Sequence, residues 1–114
     1  MKPFFSIILP TYNQSTFLKK CINSITSQSF KDWELIIIDN FSNDETENII
    51  TQINDERIKI FKFKNDNIIA KSRNFGIKKA ISDWISFIDT DDIWHKKKLE
   101  ITKNYIEKKN ADLF

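Results

Sequence analysis

Trp33-Glu34-Leu35-Ile36-Ile37-Ile38, closed by Asp39, is the stretch whose reading sets the fold. Its β-branched and aromatic residues, bounded by a turn-forming carboxylate, have the form of a strand buried inside a sheet. Ser42-x-x-Glu45 follows as a capping box ahead of Ile49, Ile50 and Ile53, so this strand passes through a turn into a helix. The same order precedes it. Phe4 to Leu9 is an apolar run closed by Pro10, Asn13 to Ser15 offers capping side chains, and Phe17, Leu18, Cys21, Ile22 and Ile25 recur at helical spacing. After it, Ile58, Ile60 and Phe63 with lysines between them predict a third, more exposed strand. A helix over 70–81 follows, with Ile77, Ala80 and Ile81 inward. Trp84 to Ile88 is a fourth strand, and Asp89-Thr90-Asp91-Asp92 leads to a helix from Ile93 to Lys109 with Ile101, Tyr105 and Ile106 on one side. Ala111-Asp112-Leu113-Phe114 opens a fifth strand. Four strand-to-helix alternations imply one α/β domain over residues 1–114, with a parallel, doubly wound sheet and right-handed crossovers.

Composition narrows the function. With 114 residues, 40% hydrophobic and 30% charged, the chain is neither disordered nor fibrous. Eighteen basic against sixteen acidic residues give +2, too balanced for a non-specific nucleic-acid binder, and no nucleic-acid partner is expected. Cys21 is the single cysteine, so no intrachain disulfide forms and a reducing compartment is expected. No run approaches the ~18 apolar residues of a membrane span, and Phe4–Leu9 is too short for a signal sequence. The expectation is a soluble cytoplasmic chain. Gly76 is the single glycine, so neither a G-x-G-x-x-G nor a G-x-x-x-x-G-K-[ST] loop can be written, and any nucleotide site must be built from side chains.

Ligands of parallel sheets bind beyond the carboxyl ends of the strands. Those positions hold Pro10-Thr11-Tyr12-Asn13, Asp39-Asn40 and Asp89-Thr90-Asp91-Asp92. Three aspartates within four residues repel one another unless a cation or donor is near, and all-oxygen ligation suits magnesium or manganese. The alternative is that Asp91 or Asp92 caps the following helix. Asp39 can accept a hydrogen bond from a ligand imide or hydroxyl, or can form an Asx turn; for Asn40, Ser42 and Asp44 the turn is the preferred reading. Arg73 and Asn74 precede Gly76, where the guanidinium either reaches a diphosphate or forms an ion pair with the acidic cluster. Gly76 serves either helix-on-sheet packing or ligand approach. His95-Lys96-Lys97-Lys98 reads as a solvated helix start, although lysines there oppose the helix dipole; the sharper reading is attraction to anionic lipid headgroups or a lipid phosphate. Cys21 is expected to be a buried, inert thiol, and Trp33, Trp84 and Trp94 to be core and rim packing.

Taken together, Ser6-Ile7-Ile8-Leu9-Pro10-Thr11-Tyr12-Asn13, Ile36-Ile37-Ile38-Asp39-Asn40-Phe41-Ser42-Asn43-Asp44-Glu45-Thr46, Ala70-Lys71-Ser72-Arg73-Asn74-Phe75-Gly76 and Phe87-Ile88-Asp89-Thr90-Asp91-Asp92-Ile93-Trp94 resemble the motifs of the inverting family 2 glycosyltransferases, in the same order. The resemblance implies a Rossmann-like fold of the nucleotide-diphospho-sugar transferase type. It implies a nucleotide-diphosphate sugar donor, with UDP-sugar the leading case, and transfer with inversion to a glycan or lipid-linked acceptor, as in cell-envelope polysaccharide synthesis. By the same likeness Pro10, Thr11 and Tyr12 line the nucleotide pocket, Asp39 recognises the base and Arg73 lies beside the diphosphate. Asp89 faces ribose or metal and Asp91 ligates Mn2+ or Mg2+ in a D-x-D motif. The chain departs from the pattern at Asn40 and Phe41, where the family commonly has aspartate and glycine, and at Asn67 and Ile68, where a glycine is usual. Family members continue into a second half that binds acceptor and carries the catalytic carboxylate. No catalytic base is therefore expected before Phe114, and the chain is expected to be a truncated N-terminal donor-binding part, inactive alone. An open sheet edge makes a homodimer a further expectation, and the His95-Lys96-Lys97-Lys98 run makes peripheral contact with the cytoplasmic membrane face another. The competing readings are a non-catalytic nucleotide-binding or assembly module, and a phosphoacceptor receiver domain. The latter needs an acid pair after the first strand, where Pro10-Thr11-Tyr12 stands.

Overall fold

The structure is a computed structural model that describes residues 2–109. Four parallel strands, β1 (Phe5–Thr11), β2 (Trp33–Asp39), β3 (Ile58–Lys62) and β4 (Trp84–Phe87), lie in the order β3-β2-β1-β4. The helices α1 (Ser15–Thr26), α2 (Thr46–Thr51), α3 (Ile69–Lys79) and α4 (Lys98–Lys109) alternate with them. The steps from β1 to β2 and from β2 to β3 run one way across the sheet, whereas the step from β3 to β4 runs back past both. Right-handed crossovers then put α1 and α2 on one face and α3 on the other. The doubly wound α/β expectation holds, and the order reverses between β1 and β4.

The larger core lies on the α1 side. Phe5, Ile7 and Leu9 of β1 and Trp33, Leu35 and Ile37 of β2 meet Leu18, Cys21, Ile22 and Ile25 of α1, Ile50 of α2, and Leu99 and Ile106 of α4. Under α3 the buried core is Ile8, Ile36 and Ile38, edged by Phe61, Phe63, Phe75, Ala80 and Ile85. Here α3 buries Ser72 and Gly76 rather than large side chains. A Cβ on Gly76 would stand 2.7 Å from Ile8 Cγ2 and 2.8 Å from Ile38 Cδ1, so this glycine lets helix and sheet approach each other. Packing, and not ligand approach, is its use.

Several expected helix faces and boundaries shift. Phe17, Ile77, Ile81, Ile101 and Tyr105 are exposed, because Leu18, Cys21, Ile22 and Ile25 form the inner face of α1, small residues seat α3, and Leu99 and Ile106 anchor α4. The last helix begins at Lys98, so Ile93 to Lys97 form a loop. Ser42 and Glu45 form no capping box: the Thr46 N–H bonds to Asp44 Oδ1 at 2.9 Å, and Glu45 instead accepts from Asn48. β1 continues through Pro10. Ile88 N–H bonds to Ile8 O and Asn40 N–H to Thr11 O, so the missing Pro10 N–H falls on the β4 side, where β4 has already ended. The expected fifth strand lies outside the described residues.

Candidate functional site

The loops that follow β1 and β2 are stitched to each other. Asn13, in the left-handed region at φ 49°, accepts at Oδ1 from Asn43 N (2.8 Å), and its own N–H bonds to Ser42 Oγ (2.9 Å). The Ser42 hydroxyl in turn donates to Asp39 Oδ1 at 2.6 Å. Asp44 serves two helices, taking the Ser15 N–H at one oxygen and the Thr46 N–H at the other. Desolvation is the largest single influence and raises the Asp44 pKa, but the bonds from Thr46 and Ser15 together outweigh it and hold it well below the usual carboxylate range. The loop after β4 is tied in where Thr90 Oγ1 donates to Pro10 O at 3.1 Å.

These loops border a cleft of about 450 Å3 at the carboxyl ends of the strands, a size suited to a small organic ligand. Strand order gives it two unlike ends. On the β4 side stand Asp89, Asp91 and Arg73; Pro10, Thr11 and Tyr12 form the middle; Asn40, Asn65 and Asn67 form the β2–β3 side. Thr11 is 4% exposed, and its hydroxyl has no hydrogen-bond partner among the described residues.

The carboxylate oxygens of Asp89, Asp91 and Asp92 lie within 4.8 Å of one another, and all three residues are exposed. Arg73 Nη2 reaches Asp89 Oδ1 at 3.1 Å, and Asp91 and Asp92 form no ion pair among the described residues. Asp92 Oδ2 accepts from Asp89 N at 3.4 Å, and with α4 starting at Lys98 neither Asp91 nor Asp92 caps a helix. Surplus negative charge and an all-oxygen donor set fit a hard divalent cation such as Mg2+ or Mn2+. Beneath them Cys21 Sγ lies 3.6 Å from Asp89 O. Its thiol is pushed up to about 12 by burial and then by Asp92, Asp89 and Asp91, in keeping with an inert thiol.

Of the residues singled out in the sequence, Pro10, Thr11, Tyr12, Arg73, Asp89 and Asp91 meet at this cleft. Asp39 does not line it. At 1% exposure, Asp39 takes the Ser42 N–H and hydroxyl in an Asx-type turn, and Asn40 occupies the wall instead. Sequence reasoning also missed Asn65. This buried amide donates to Ser72 Oγ (2.9 Å), accepts from Asn67 N (2.9 Å), and gives its backbone N–H to Asn40 Oδ1 (3.0 Å). Asn40 is thereby held by its carbonyl, leaving its amide nitrogen to offer to the cleft. The signal available was Asn65-Asp66-Asn67 ahead of a helix, with Asp66 and Asn67 both at positive φ. His95 accepts at Nδ1 from its own loop, from Lys97 N.

Residues 6–114 match the domain described as Glycosyl transferase family 2. The poly(ribitol-phosphate) beta-N-acetylglucosaminyltransferase TarP of Staphylococcus aureus is 40% identical over 113 residues, covering 95% of this chain and 34% of TarP. The UDP-Glc:alpha-D-GlcNAc-diphosphoundecaprenol beta-1,3-glucosyltransferase WfgD of Escherichia coli is 35% identical over 105 residues, covering 92% of this chain and 42% of WfgD. The crystal structure of S. aureus TarS 1-349 in complex with UDP-GlcNAc superposes with a TM-score of 0.89 at 30% identity, covering 98% of this chain and 33% of that one. The chain thus spans less than half the length of each of these relatives.

Proposed function

Because the chain belongs to glycosyl transferase family 2, we propose that its cleft binds the nucleotide-diphosphate sugar donor, a UDP-sugar, of an inverting, metal-dependent transfer. The observation that carries this reading is the polarity of the cleft, with surplus carboxylates at one end and amides at the other. A diphosphate belongs at the first end and a hydrogen-bonding base at the second. That TarS was crystallised with UDP-GlcNAc and that WfgD is named for UDP-Glc support uridine as the nucleoside.

In this reading Pro10, Thr11 and Tyr12 hold the nucleoside, and Asp39 orients the turn from which Asn40 meets the base. Asp89 and Asp91 hold Mn2+ or Mg2+, with Asp92 beside them. Arg73 sits where it can exchange Asp89 for a diphosphate oxygen, which adds a planar two-pronged donor to the leaving group. The cation, when bound, supplies Lewis-acid stabilisation of the diphosphate. Inversion needs a base on the acceptor hydroxyl. We assign that base and the acceptor site to a further part of the whole protein, so that the 114 residues alone bind donor without turning it over. A β-linked product is what inversion of an α-linked donor gives, and the names of TarP and WfgD both specify a β transfer.

Thermal unfolding with uridine, guanosine, thymidine and cytidine diphosphates, each with and without Mn2+, tests the reading. At ~100 times the dissociation constant a ligand stabilises by about 2.7 kcal/mol, on the order of 10 °C for a domain of this size. The expected result is that shift with UDP and Mn2+ together, lost without metal and lost in Asp91→Asn. Equal midpoints with every nucleotide would overturn it.

A further inference from the structure

We propose that the loop between β4 and α4, together with the adjoining face of α1, is a docking surface for an anionic lipid membrane. The loop is firmly built. Gln28, fully buried at the end of α1, donates from Nε2 to His95 O (2.7 Å) and accepts at Oε1 from Leu99 N (3.0 Å). Ser29 N bonds to Lys96 O at 3.0 Å, and Trp94 N bonds to Ser24 Oγ at 3.2 Å. What this stapled loop presents outward is Ile93, at 66% exposure the most exposed large hydrophobic side chain of the described residues. Beside it are Trp94, with the Lys98 ammonium 4.9 Å from its ring centre, and a shallow hollow shared by Lys20, Ile93, Trp94 and Lys96.

Lys20, Lys96 and Lys97 are exposed and form no ion pair among the described residues. An exposed aliphatic side chain and a half-buried indole, flanked by the unpaired ammonium groups of Lys20 and Lys96, match the chemistry of a lipid interface. The apolar tips enter the acyl boundary, the indole sits at headgroup level and the lysines meet lipid phosphates. The commonplace reading of lysines ahead of α4 as merely solvated explains neither the exposed Ile93 nor the four hydrogen bonds that hold it out.

The test is co-sedimentation of the 114-residue chain with vesicles of phosphatidylcholine, with and without phosphatidylglycerol. Binding is expected to the anionic vesicles only and to weaken as salt is raised. Lys96→Glu/Lys97→Glu is expected to lower the partition coefficient on the order of 100-fold, and Ile93→Asp about tenfold. Lys108→Glu/Lys109→Glu carries the same change in net charge at the far end of α4 and is expected to bind as the parent chain does. Unfolding midpoints of all variants are compared, and Lys96→Gln/Lys97→Gln replaces any reversal variant that fails to fold. Three results would each overturn the proposal: no sedimentation of the parent chain with anionic vesicles, an equal loss in the Lys108/Lys109 variant, or release of bound chain by inorganic phosphate at matched ionic strength.

Discussion

The two ends of the sheet use carboxylates in opposite ways. At the amino ends of the strands Glu34, only 2% exposed, faces Ser6 across the β1–β2 ladder and accepts from the Ser6 hydroxyl, the Ile81 N–H and the Lys59 ammonium. Ser6 Oγ in turn takes the Ser82 N–H, so one carboxylate binds three strands and the segment leaving α3 into a closed network. Nearby the Arg57 guanidinium lies 3.8 Å over the Trp33 ring and is paired with Asp55. At the carboxyl ends, three exposed carboxylates stand together and Arg73 pairs with Asp89. The paired Glu34 carboxylate makes the lower end a clamp; surplus carboxylates make the upper end a place that a cation or ligand can complete.

Breaking the lower clamp is expected to have the largest effect. Glu34→Ala strands the Ser6 hydroxyl and the Ile81 N–H, each worth about 1–3 kcal/mol when buried and unsatisfied, so roughly 3 kcal/mol should be lost in urea unfolding. Asp91→Asn, at the other end, is expected to leave the midpoint unchanged. The clamp also has a pH signature. Burial raises the Glu34 pKa, but bonds from Lys59, Ser6 and the Ile81 N–H outweigh it and the net shift is downward. Its folded-state pKa is thus below the unfolded one. The stabilisation is complete above the ordinary carboxylate value of about 4.3 and is lost as pH falls through the folded value. Stability measured from neutral pH down through that range should fall for the parent chain and fall less for Glu34→Gln; parallel curves would show that Glu34 carries no charge-dependent stabilisation.

Next in size is the element that serves both ends. α3 carries Ser72 and Arg73 toward the cleft and leads out to the Ile81 N–H at the clamp. Gly76→Ala would place a Cβ against branched carbons of Ile8 and Ile38, held in adjacent strands, and overpacking of this kind costs about 1–3 kcal/mol. A lowered midpoint together with weaker nucleotide binding is expected, since both ends hang from this seat. An unchanged midpoint would mean that the two isoleucines give way freely.

That seat also shows what the sequence made legible. The strands were readable because buried parallel strands are continuous apolar runs, and the acidic cluster because three carboxylates at a strand end need a reason. The inward face of α3 was not readable, because it rests on Ser72 and Gly76 while Ile77 is exposed, and small residues leave no hydrophobic period. Asp39 and Asn40 exchanged places at the cleft wall for a related reason. Adjacent residues at a strand end point to opposite sides, and only the Ser42 hydrogen bonds show that Asp39 is the one turned into the loop.

Asn65 offers the smallest and sharpest test. It touches the amide end of the cleft alone, holding Asn40 through its backbone N–H and Ser72 and Asn67 through its side chain. Asn65→Ala keeps the backbone donor but removes the side chain that fixes the turn at Asp66 and Asn67, where both residues stand at positive φ. About 1 kcal/mol of stability should go with those bonds. UDP binding should weaken about tenfold, the loss expected when a positioned base contact becomes mobile. Its dependence on Mn2+ should not change, because the carboxylates lie across the cleft on the β4 side. Asp91→Asn is expected to do the reverse, abolishing the metal dependence while leaving Asn40 held. If instead the two variants gave the same metal response, the cleft would act as one coupled unit, and the division between its carboxylate and amide ends would fail.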